Sequence, residues 1–63
     1  MGFIGLVFDA GQAADFLERV NQRTFEDLDE YGNIGPVLAG QIAHAAEEAA
    51  RAILVRDGWT IAE

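Results

Sequence analysis

The run Tyr31-Gly32-Asn33-Ile34-Gly35-Pro36 divides this chain into two halves. Two glycines and a proline in so few residues stop any helix that reaches them. On either side, apolar residues recur at helical spacing. A chain of 63 residues has room for one domain only, so the break predicts a single antiparallel helical hairpin. A domain of this size hides only about 60% of its unfolded surface and needs support from a disulfide, a metal or a partner. The chain has no cysteine, which removes disulfides and thiolate metal sites and leaves association as the expected support.

Asp9 followed by Gln12 has the form of a capping box and predicts the start of the first helix, over residues 10–31. Ala13, Ala14, Leu17, Val20, Thr24, Leu28 and Tyr31 form its apolar stripe, with Phe16 and Phe25 on the flanks. Thr24 with Asp27 is a weaker capping pattern that would kink the helix, but the unbroken face predicts a continuous one. Gly32 is the expected stop. The turn occupies residues 32–35. Pro36 then suits the first turn of a second helix, over residues 36–57, where its missing N–H costs nothing. Gly58 closes that helix, and residues 58–63 form an extended tail.

The second helix is apolar over more than half of its circumference. Leu38, Ile42, Ala45, Ala49, Ala52 and Ile53 make a main stripe, with near-heptad spacing. Beside it runs a strip of small residues, Ala39, Ala43, Ala46 and Ala50, ending in Leu54. The bulkier stripe is expected to meet Leu17, Val20 and Leu28 in the core, leaving the alanine strip for close approach of a neighbour. The candidate interface residues are Leu38, Ile42, Ala39, Ala43, Ala46, Ala50 and Trp59. Two such hairpins would complete a helical bundle.

The segment before the first helix, Gly2-Phe3-Ile4-Gly5-Leu6-Val7-Phe8, is apolar but far shorter than the roughly 20 residues that cross a bilayer. It has neither a basic leader nor a cleavage site. Met1-Gly2 opens like a myristoylation signal, but Leu6 stands where Ser or Thr is required. Residues 1–8 are read as a short arm or strand. With residues 59–62 the arm would form a small ribbon, or Trp59 would cap the open end of the hairpin.

The formal net charge is −7, with 11 acidic residues against four arginines and no lysine. Such a surface argues against direct nucleic-acid binding and against an anionic membrane, and suits a basic protein surface. The lack of cysteine fits a reducing, cytoplasmic setting. Richness in alanine and arginine without lysine resembles the product of a GC-rich genome, such as an actinobacterium or a phage of one.

Little here resembles catalytic machinery. There is no serine or cysteine to serve as nucleophile, and His44 is the only histidine. The turn lacks the Lys and Ser or Thr of a phosphate loop. Glu26 and Glu30 on one helix, with His44 and Glu47 on the other, are the ingredients of a ferritin-like di-iron site. The order His-x-x-Glu is reversed, however, and both residues fall on the polar side, where His44 would pair with Glu47 or Glu48. No metal, cofactor or enzymatic activity is expected. The acidic patch Glu26, Asp27, Asp29 and Glu30 crowds the negative end of the helix dipole. The expected function is a small, self-associating protein–protein interaction module. One alternative is an acidic inhibitor that imitates nucleic acid, of a counter-defence or antitoxin kind. Another is a component of a larger particle, with residues 3–8 inserted into a neighbour.

Overall fold

The computed structural model describes residues 8–62 and shows two helices, α1 (Ala10–Asp29) and α2 (Pro36–Arg56), packed as an antiparallel hairpin. Among the described residues there is no strand. The capping box forms: Asp9 Oδ1 accepts the Gln12 N–H at 2.9 Å, and Gln12 Oε1 accepts the Asp9 N–H at 3.3 Å. α1 is one continuous helix through Asn21 to Thr24.

α1 ends at Asp29, two residues before the expected Tyr31. The Tyr31 and Gly32 N–H groups turn back to the carbonyls of Leu28 and Asp29, tightening the last turn. The cause is local. Asp27, Asp29 and Glu30 oppose the dipole of any further turn, and Tyr31 gains no burial, being 71% exposed. Gly32 (φ 77°) and Gly35 (φ 86°, ψ 150°) then reverse the chain through conformations that side-chain-bearing residues avoid. Gly35 caps α2 and Pro36 occupies its first turn. α2 stops at Arg56, where Gly58 (φ 93°) completes a Schellman motif: its N–H bonds to Val55 O and the Trp59 N–H to Leu54 O.

The packing of α2 reverses the expectation. Ala39 and Ala43 are buried at 1% and 0% exposure, and Ala46, Ala50 and Leu54 are half-buried. The alanine strip therefore faces α1 within the hairpin. The stripe expected in the core, Leu38, Ile42, Ala45, Ala49 and Ile53, lies on the exposed side. The short connection fixes the phase of α2, and alanine lets two backbones approach closely, so position and not bulk decides which strip is inside. On α1 the buried residues are Ala13 and Leu17, while Val20 and Leu28 are half-buried.

Trp59 closes the open end of the hairpin. Its ring meets Phe8 edge-to-face at 4.9 Å, and Phe8 meets Phe16 in the same manner at 6.2 Å. The Ala62 N–H donates to Ala10 O at 3.1 Å, tying the tail back to the start of α1. Residues 59–62 are not a strand, and the rest of the proposed arm, residues 1–7, lies outside the described residues.

Candidate interaction surfaces

The hairpin is one helix thick and so has two broad faces. Asn21 on α1 and Glu47 on α2 identify one of them. Asn21 Nδ2 donates to Glu47 Oε1 at 2.9 Å across the helix interface. Glu47 Oε2 also accepts from Arg51 Nη2 at 3.5 Å, and Arg51 Nε lies 3.5 Å from Glu48 Oε2. This network joins the helices through side chains that are partly shielded from water, where a hydrogen bond contributes more than it does at the surface. Glu47 thus faces α1 and not open solvent. Its partners are Asn21 and Arg51 in place of the expected His44, which is exposed. Asn21 stands one turn after the buried Leu17, and that spacing was the signal for a polar group at the seam.

The other face is apolar. Leu38, Ile42 and Ile53 are 47%, 39% and 49% exposed. At helical spacing they share the side of α2 opposite to Glu47, and Phe16 and Val20 occupy the matching side of α1. Phe16 is 44% exposed despite its contact with Phe8. An open groove of about 400 Å³ runs along this edge, lined by Phe16, Arg19, Val20, Arg23 and Thr24. Another, of about 380 Å³, lies between Phe8, Gln12, Asp15 and Arg19. Both are open to solvent, unlike the clefts that enclose most of a small ligand.

All four residues of the acidic patch are exposed. Arg23 Nε lies 3.4 Å from Asp27 Oδ1, and Gln22 donates to Glu26 at 3.4 Å. Exposed pairs of this kind hold little energy and exchange partners readily. Among the described residues no three His, Asp or Glu side chains converge as a metal site requires. Glu26 and Glu30 sit toward the turn, away from Glu47, which is engaged with Asn21 and Arg51. Among the described residues, no helix is long and apolar enough to cross a membrane. Comparisons with protein families, curated proteins and solved structures gave no match.

Proposed function

We propose that this chain is a small, non-enzymatic protein–protein interaction module that works by associating with itself through its apolar face. One observation carries the reading. The buried core among the described residues is Ala13, Leu17, Ala39 and Ala43, while Leu38, Ile42 and Ile53 stand half in water on the same face as Phe16. Three of those four core residues are alanine, so the interior buries little side-chain area. Exposed apolar patches that are continuous, as opposed to scattered, mark association surfaces. A second copy brings the same face and covers both at once, the self-complementary arrangement of a two-fold pair. Molar mass measured by sedimentation or light scattering across a dilution series tests this. A dimer or larger species at micromolar concentration is expected, whereas a well-folded monomer at every concentration refutes it.

A further inference from the structure

We infer that the second copy lies on the apolar face with its turn at the opposite end, so that each helix runs antiparallel to its own counterpart. This rests on the self-association reading above and adds the orientation of the pair.

The argument starts from a row of charge on α1. Arg19, Arg23, Asp27 and Glu30 follow one another at helical intervals of four, four and three residues, the last at the helix cap. Arg19 and Arg23 line the groove beside Phe16 and Val20, so this row borders the apolar face. Its order is two cations toward the open end and two anions toward the turn. Such a row is complementary to itself only when reversed. Laid antiparallel on a second α1, the arginines of each copy meet the acids of the other. The ties that hold these arginines now, Arg19 to Asp15 at 3.0 Å and Arg23 to Asp27 at 3.4 Å, are exposed and free to re-form across a rim.

With both turns at the same end, α1 would instead lie on α2 of the second copy. The charged row would then face Leu38 and Ala45, and the two acidic patches would stand side by side. Like charges so placed repel within the Debye length of about 8–10 Å. The stripe on α2 points the same way as the row. Reversed on itself, it sets the bulky Leu38 and Ile42, near the turn, against the small Ala45 and Ala49 of the second copy, so large meets small along the seam.

The chain has no cysteine, so Asn33→Cys in the exposed turn gives one spin label per copy. In the register that sets Leu38 against Ala49 and Ile42 against Ala45, Pro36 of each copy lies about 11 Å along α2 from the two-fold axis, so opposed turns are separated by roughly 25–30 Å. Turns at one end would stand less than about 20 Å apart, because packed helices lie 8–10 Å from one another. Pulsed dipolar spectroscopy on the labelled full chain, with its mass measured in the same sample, separates the outcomes. A dimer with labels more than about 20 Å apart supports opposed turns. A dimer with a distance below about 20 Å overturns the orientation and leaves self-association standing. A folded monomer overturns both.

Discussion

Replacing Ala43 with leucine tests which strip of α2 faces inward. Ala43 has 0% exposure, so the isobutyl side chain has no route to solvent and must separate the helices or leave its preferred rotamer. Overpacking of this kind costs about 1–3 kcal/mol, and the upper end applies where alanine alone sets the approach of two backbones. A 63-residue domain has a total stability of about 3–9 kcal/mol, so Ala43→Leu removes a third of it or more. The control is Ala52→Leu, an exposed position at the border of the outward stripe, compared at a concentration low enough to keep the chain monomeric, where substitutions stay within about 0.5 kcal/mol. Urea unfolding followed by circular dichroism reads the difference, with protein concentration held constant because association would shift the midpoint. At a slope of about 1 kcal/mol per molar urea, a 3 kcal/mol loss moves the midpoint by about 3 M. An Ala43→Leu variant as stable as the parent, or an Ala52→Leu variant equally damaged, would show that the seam is not where the hairpin places it.

Two further substitutions probe the ends. Gly35→Ala forces a β-carbon into φ 86°, ψ 150°, where the strain is about 1–3 kcal/mol, and a melting temperature lower by about 4–8 °C per kcal/mol is expected; an unchanged melting temperature would contradict the turn geometry. Phe8→Ala removes the ring that contacts both Phe16 and Trp59, at a cost of about 2 kcal/mol. Trp59 is the only tryptophan, so its emission should move to the red as water reaches it, and an unshifted spectrum would mean that Phe8 does not cover it.

The helix boundaries were legible because their signals are local. Asp9 and Gln12 lie within one turn of each other and formed the box that their spacing predicts. Gly35-Pro36 and Gly58 act through their own backbone angles. The rotation of α2 about its axis was not legible. Both of its strips are apolar, and the phase that chooses between them is set by Gly32 and Gly35, whose φ values a helical wheel does not contain. The bond from Asn21 to Glu47 spans 26 residues and exists only once that phase is fixed. The premature end of α1 lies between these cases. The adverse charge of Asp27, Asp29 and Glu30 was visible, but whether a burial gain for Tyr31 would outweigh it depended on the turn.

The distribution of bulk in α2 bears directly on association. A hairpin meant to stand alone gains most by placing leucine and isoleucine between its helices, since fully burying such a side chain contributes about 1.5–3 kcal/mol. This chain does the reverse, with alanines inside and Leu38, Ile42 and Ile53 outside, each keeping 39% or more of its surface in water. The stabilisation still unrealised is therefore about 1 kcal/mol for each of these residues, and the two-fold pair proposed above would gain it twice. The alanine seam supports the same proposal. It leaves the bulky stripe of α2 on the same face as Phe16 and Val20 of α1. The polar ties from Asn21 to Glu47 and Arg51 lie on the opposite face, where they brace the hairpin without interrupting that surface.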